Sequence, residues 1–493
     1  MPLTRAPKAP TTPVAILEEI VHTEERIHRT WLHSDRYVPR RFVRPALAFM
    51  ETESAGGIVL LAAALLAILW ANSPWWHGYF SLWETHLTIE LGGWFHFSHS
   101  LKDIVNDGLM AIFFFVVGLE IKRELVVGEL NEPKKAALPA MAALGGMIVP
   151  ALIYVAFVGS NGGGDAMAGW GIPMATDIAF SVGILALLGS RISLGAKLFL
   201  LALAIVDDLG AIAVIAIFYT ESLEFGWLLA AAAGLVVTAV AARVGIRSLL
   251  FYGVIAVGVW FAVLESGVHA TIAGVALGLL TPVHALYSDE EFRRKARWIL
   301  ERFEMSAAAP DARSRLDSDA LQLAAVATES VPPLRRLEHR LHGWSSFAIV
   351  PIFALANAGV RFVGLDLGEV ATSPVTLGVA VGLMVGKPVG IATATWLAVR
   401  SGLGELPRRT DFRRVVGLGF IAGIGFTVSL FITELAFRGS EIGELLGDEA
   451  KIGIFAGSIV AGVVGYLLLR SAKTVEEELD AAREAVGAPV PTP

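Results

Sequence analysis

Twelve apolar runs, separated by short polar breaks, divide the chain between residues 55 and 470. Measured against the ~20 residues a helix needs to cross a bilayer, they predict spans near 55–72, 101–126, 136–158, 170–188, 195–219, 226–243, 249–264, 267–281, 341–360, 376–399, 413–437 and 451–470. The runs 249–264 and 267–281 are short for two crossings, so loop charge arbitrates. Basic residues crowd Arg36–Arg44, Lys122 to Lys135, Arg191 and Lys197, Arg243 and Arg247, the stretch 293–340, Arg400 to Arg414, and Arg470 with Lys473. The alternate loops 73–100, 159–169, 220–225 and 265–266 contain no lysine or arginine, and 361–375 has only Arg361. The positive-inside rule then keeps both short helices and places both termini in the cytoplasm.

The same pattern predicts what lies between the spans. HLTIELGG and WFHFSHS, within 73–100, alternate as the strands of a small external hairpin do, and this loop could serve a homodimer or be an ordinary structured loop. The loop 282–340 reads as a cytoplasmic helix followed by a flexible linker rich in Ala, Pro and Asp. Residues 1–50 read as a cytoplasmic, partly amphipathic leader and 473–493 as a tail whose helix frays at its prolines, leaving 51–472 as the membrane domain.

Segments 136–219 and 376–470 each hold three spans, one set starting inside and the other outside, as an inverted repeat requires. The middle span of each is interrupted: Pro173 with Thr176-Asp177 in the first, and Ala422-Gly423-Ile424-Gly425-Phe426-Thr427 in the second. The predicted fold is an all-α polytopic membrane protein of twelve transmembrane helices with inverted-topology repeats and two interrupted helices.

Composition narrows the chemistry. At 55% hydrophobic, 17% charged and a mean hydropathy of +0.63, the chain is too apolar for an ordinary soluble protein. Its 50 glycines suit helices that pack backbone to backbone in lipid. The absence of cysteine excludes disulfides, thiolate-bound haem, iron–sulfur clusters and thiol catalysis. The net charge of -7 decides little, because topology follows where lysine and arginine sit.

Against that background the aspartates stand out. A carboxylate at bilayer depth costs at least ~2.5 kcal/mol on insertion scales, so Asp177, Asp207 and Asp208 point to a site where a cation exchanges with protons. Asp207 and Asp208 lie about twelve residues from each end of their span, close to the bilayer midplane. Adjacent helical residues diverge by ~100°, so one carboxylate faces the ion cavity and the other a neighbouring helix. Asp177, beside Thr176, can neutralise the half-helix N-termini that meet at a crossing. Lys387, midway along its span, could fill the cationic role there, or pair with Asp207 and be displaced by an ion. Glu120, Arg123 and Glu124 share one helix face, where they could gather cations or sense pH at the cytoplasmic mouth, or form an interfacial salt-bridge network. Asp107 lies toward the outer part of the same helix. Glu265 and His269, four apart, could couple to pH, or His269 could be a satisfied core histidine.

With these residues in view, the sequence resembles the NhaA family of bacterial sodium/proton antiporters. The likeness is carried by NDGLMAIFFFVVGLEIKREL (106–125), GIPMATDIAFSVGILALLGSR (171–191), LALAIVDDLGAI (201–212), SGVHATIAG (266–274), PIFALANAG (351–359), GKPVGI (386–391) and AGIGFTVSLFI (422–432). The resemblance implies that Asp207 and Asp208 carry Na⁺ and protons, that Thr176 and Asp177 belong to the broken-helix site, and that Lys387 is the intramembrane lysine. It further implies that Glu120, Arg123 and Glu124 form a cytoplasmic funnel that responds to pH. The expected activity is electrogenic export of Na⁺ or Li⁺ against protons in the bacterial inner membrane, serving pH and sodium homeostasis. Neither a cofactor, a nucleic-acid partner nor an enzymatic reaction is expected. The long leader, the long 282–340 loop, and the extra acids Glu265 and Glu434 depart from the family pattern and bear on pH dependence.

Two rivals follow from the same residues. A sodium symporter of organic anions would want a roomier, more neutral midplane than an aspartate pair beside a lysine. An intramembrane aspartyl protease would use Asp177 and Asp207, yet its GxGD motif is absent and it has no use for a third acid and Lys387.

Overall fold

A computed structural model describes residues 54–472 except 93–94, 221–222, 307–311 and 408, together with Arg41, Met50 and Thr52. The predicted leader, apart from those isolated positions, and the predicted tail lie outside the described residues.

The twelve apolar runs are all helical. Among the described residues, seven helices are long and apolar enough to cross a membrane by themselves. They are α3 (Leu101–Val126), α4 (Pro133–Gly159), the broken segment Gly164–Leu188, α6 (Leu194–Phe218), α7 (Phe225–Val244), α14 (Pro374–Arg400) and α17 (Gly443–Arg470). Two bent pairs join them: α1 (Ala55–Ala71) with α2 (Trp76–Glu84), turned by 113°, and α15 (Phe412–Ala422) with α16 (Phe426–Ala436), turned by 47°. The sharp turn after α1 places α2 in what the sequence reading treated as plain external loop. The two short runs are α8 (Leu249–Glu265) and α9 (Thr271–Leu280).

Polar side chains set the helix boundaries. Ser193 accepts a hydrogen bond from the Ala196 amide at 3.2 Å, Ser248 from Phe251 at 3.3 Å and Asp411 from Arg414 at 3.0 Å, each satisfying a donor that a first turn leaves open. At the start of α3 a full capping box operates, Ser100 and Asp103 each accepting from the other's amide. Gly245 ends α7 with φ 85°, a conformation that costs glycine nothing.

The predicted hairpin is present. Strands β1 (His86–Leu91) and β2 (Phe95–Ser100) pair antiparallel with Thr88 opposite Ser98, whose hydroxyls lie 3.1 Å apart. The loop after α9 differs from its reading. Besides the expected helix α10 (Asp289–Ser306), the stretch taken as linker forms α11 (Ala312–Glu329), and α12 (Pro333–Trp344) runs through a π-turn at Ser345–Ile349 into α13 (Val350–Asn357). Ile299 of α10 and Leu334 of α12 are buried, so these helices have apolar faces that proline and alanine counts concealed.

One packing contact positions the site. Where α4 crosses α14, a Cβ on Gly145 would collide with the Gly390 carbonyl, and one on Gly390 with the Gly145 carbonyl. The two backbones therefore touch, in the small-residue mode of membrane helices. A Cβ on Gly146 would come within 2.8 Å of Ile391 and 3.7 Å of the Lys387 side chain, so the same crossing lays the stem of Lys387 along α4.

Candidate functional site

In the middle of the fold two helices stop and restart opposite each other. The first is a 3₁₀ helix, Gly164–Met174, followed by three residues of extended chain and then α5 (Ile178–Leu188). The second is α15, a break at Gly423–Gly425, and α16. Four helix ends in a dry interior leave backbone groups that must find partners.

The partners are polar side chains of the opposing segment. Asp177 caps α5 by accepting from the Phe180 amide at 3.1 Å, and its other oxygen caps α16 by accepting from the Thr427 amide at 3.0 Å and the Thr427 hydroxyl at 2.6 Å. One carboxylate thus serves the positive ends of two half-helices. The carbonyl ends receive hydroxyls: Thr176 donates to Ala422 O at 2.8 Å, Ser181 to Ile421 O at 3.2 Å and Ser429 to Ile172 O at 2.7 Å. The Asp177 amide donates to Ile424 O at 2.6 Å. Thr176, Asp177, Ser181, Thr427 and Ser429 are all buried. Asp177→Ala leaves two amides and a hydroxyl unpaired, and we expect it to cost about 2–4 kcal/mol of stability, with Asp177→Asn costing less because its carbonyl oxygen still accepts. Thermal unfolding of the purified variants in detergent measures both.

Beside this crossing α6 presents its two aspartates. Lys387 donates to Asp207 Oδ2 at 2.5 Å and to the Thr176 hydroxyl at 2.9 Å, and lysine and aspartate are both fully buried. The π-turn Gly382–Gly386 immediately before Lys387 shifts the helical phase that aims it. Asp208 is also buried, and its Oδ1, like Asp207 Oδ1, has no hydrogen-bond partner among the described residues. Buried acceptors are nearly always paired, so two adjacent carboxylate oxygens left over here are acceptors that a proton or a cation could satisfy. No group of three or more His, Asp or Glu side chains that could hold a metal occurs among the described residues. A cation here therefore has to complete its shell with neutral oxygens. Buried Phe431 of α16 packs against both α3 and α13, its ring centre 5.4 Å from Phe114 and 6.1 Å from Phe353.

The chain matches the family model described as Na⁺/H⁺ antiporter 1 over residues 47–469. The chain belongs to the NhaA family of Na⁺/H⁺ antiporters. It is 45% identical over 448 residues to a Na⁺/H⁺ antiporter NhaA 2 of Sorangium cellulosum, covering 90% of this chain and 94% of that protein. It is 46% identical over 434 residues to an NhaA 2 of Syntrophotalea carbinolica, covering 87% and 97%, and 47% identical over 430 residues to an NhaA of an Anaeromyxobacter species, covering 87% and 91%. Neither the symporter nor the protease reading finds support in these matches.

Away from the crossing, this NhaA-family chain gathers some of the predicted residues and separates others. Arg123 bridges Glu124 at 3.1 Å and also Glu338 of α12, while Glu120 stands 4.0 Å from the His342 ring. Glu338 and His342, four apart on one face of α12, fall on either side of the boundary between the predicted loop 282–340 and the predicted span 341–360, and neither is among the sequence candidates; the signal available was the amphipathic run Leu334 to Leu341. Asp107, buried in a π-turn of α3, lies 3.6 Å from Arg438, a partner the sequence did not suggest. His269 is a core histidine within 2.5 Å of the Tyr219 carbonyl. Glu265 is exposed at the end of α8 and makes no ion pair among the described residues.

Proposed function

We propose that this Na⁺/H⁺ antiporter exports Na⁺, or Li⁺ in its place, from the cytoplasm by electrogenic alternating access, contributing to pH and sodium homeostasis. Asp208 and Asp207 carry the exchanged ions. Cytoplasmic Na⁺ displaces protons from the two carboxylates, the loaded site reorients, and external protons displace Na⁺. Lys387 holds Asp207 when no cation is bound and yields to one that enters. The observation that carries this reading is the orphan oxygen of buried Asp208 beside the Lys387–Asp207 pair. Thr176 supplies a neutral oxygen next to that pair, and Asp177 fixes the broken helices around it. An empty site with both carboxylates charged is costly to move through a low-dielectric interior, and that cost couples the two fluxes.

The protein sits in the bacterial inner membrane with twelve spans and both termini cytoplasmic, a reading that loop charge supports. Residues 1–50 and 473–493 flank the transport domain as cytoplasmic extensions, and 282–340 is a cytoplasmic helical loop. Segments 136–219 and 376–470 form the core that moves against the rest, and Glu120, Arg123 and Glu124 at its cytoplasmic mouth tune the response to pH. A homodimer joins through the hairpin of the 73–100 loop; exposed Leu87 and Ile89 on an isolated two-stranded ribbon favour this. The direct test is proton movement in energised everted vesicles. NaCl and LiCl should each collapse the pH gradient and choline chloride should not; equal responses to all three would refute the reading.

A further inference from the structure

Outside the midplane site a group of partly buried charges lines a cavity of about 860 Å³ near the start of α3 and the end of α16. Glu434 of α16, 17% exposed, reaches Lys102 of α3 at 2.6 Å through one oxygen and Lys451 of α17 at 3.1 Å through the other. Arg438, just beyond α16, reaches Asp103 at 2.9 Å and Asp107 at 3.6 Å, both on α3. Three of these four pairs join α3 to the α16 segment, and the fourth, Glu434 with Lys451, anchors the acid within the second repeat.

The distribution is one-sided. At the other end of α3 Arg123 pairs within α3 and with Glu338 of α12, Glu120 meets His342 of α12, and Glu329 of α11 pairs with Arg247 and Arg336, all outside both repeats. Among the described residues, the ion pairs between a repeat and the surrounding helices all fall at the start of α3. For the repeats to move as a body and expose the site at this end, Lys102–Glu434, Arg438–Asp103 and Arg438–Asp107 must part together.

We propose that Lys102, Asp103 and Asp107 on one side and Glu434 and Arg438 on the other form an electrostatic latch that holds this end of the antiporter shut and sets how often it opens. Assigning this end to the outside, and movement to the repeats, rests on the alternating-access reading above. These are positioning residues that act through the equilibrium between two states. A partly buried pair within a network is screened less than an isolated surface pair, so its loss shifts that equilibrium measurably.

The chain has no cysteine, so single reporters can be placed cleanly. Ala356, buried at 5% exposure, lines this cavity; Thr281, at 9%, ends α9 at the opposite face. With Ala356→Cys in intact cells, a membrane-impermeant maleimide should react about threefold faster or more when Glu434→Gln is added, and likewise with Arg438→Ala, whose exposed side chain makes misfolding a poor explanation. With Thr281→Cys in everted vesicles, neither substitution should raise the rate. Unchanged labelling at Ala356→Cys in both variants would overturn the latch, and so would equal acceleration at both reporters, which signals general loosening. The readout needs no ion flux, so it stands or falls separately from the vesicle assay of antiport.

Discussion

Asp208→Asn should abolish Na⁺-dependent proton movement in everted vesicles while leaving the protein folded and equally or more resistant to heat. The amide keeps the shape of the side chain but neither binds an exchangeable proton nor offers a formal charge to Na⁺. A carboxylate and a cation about 4 Å apart attract by ~4 kcal/mol at an effective dielectric near 20, so losing the charge should weaken cation capture by about 10²-fold or more. Stability moves the other way because Asp208 Oδ1 has no partner to lose among the described residues, and a buried charge without one is a cost in itself. Wild-type exchange by Asp208→Asn would remove Asp208 from the transport site. A large fall in melting temperature would show instead that its carboxylate has a structural partner.

Lys387→Met should do the reverse and destabilise first. It fills similar volume but strands Asp207, fully buried, without the ammonium it now holds at 2.5 Å, and it leaves the Thr176 hydroxyl without its donor. Removing one member of a buried ion pair typically costs ~3–5 kcal/mol, whereas removing both is often close to neutral. Lys387→Met combined with Asp207→Asn should therefore recover most of the lost stability, and unfolding midpoints of the two single variants and the double variant measure the coupling. Additive losses would mean that the pair contributes no net coupling.

These two aspartates behave differently although they are adjacent and chemically identical, and that difference marks the limit of what the sequence could tell. Acids in the middle of apolar runs were legible because the bilayer makes them expensive, and the broken helices because Pro173 and the Gly423–Gly425 pair interrupt otherwise continuous spans. Adjacency on a helix required Asp207 and Asp208 to diverge, and the lysine 180 residues away was correctly suspected as a partner for Asp207. That Asp177 caps two helices at once was beyond reach, since it depends on where Thr427 lies in space. Glu338 and His342 escaped notice for the same reason: their meaning comes from facing α3 across a fold. The π-turns at 104–109, 345–349 and 382–386 leave no periodic signature, because one extra residue shifts the phase of a pattern already apolar all round. Composition misled at α11, where alanine-rich sequence looked like linker although alanine is the strongest helix former.

The backbone contact between Gly145 and Gly390 has a mechanical side. Helices that meet through side chains can slide by changing rotamers, but two backbones in contact have nothing soft between them. On the proposed reading of 136–219 and 376–470 as two repeats, α4 and α14 come one from each, and this crossing rivets them together with Lys387 one turn from the rivet. In the proposed alternating-access cycle, Lys387 then travels with Asp207 as ballast, and the charge that remains to be neutralised before the site moves is that of Asp208.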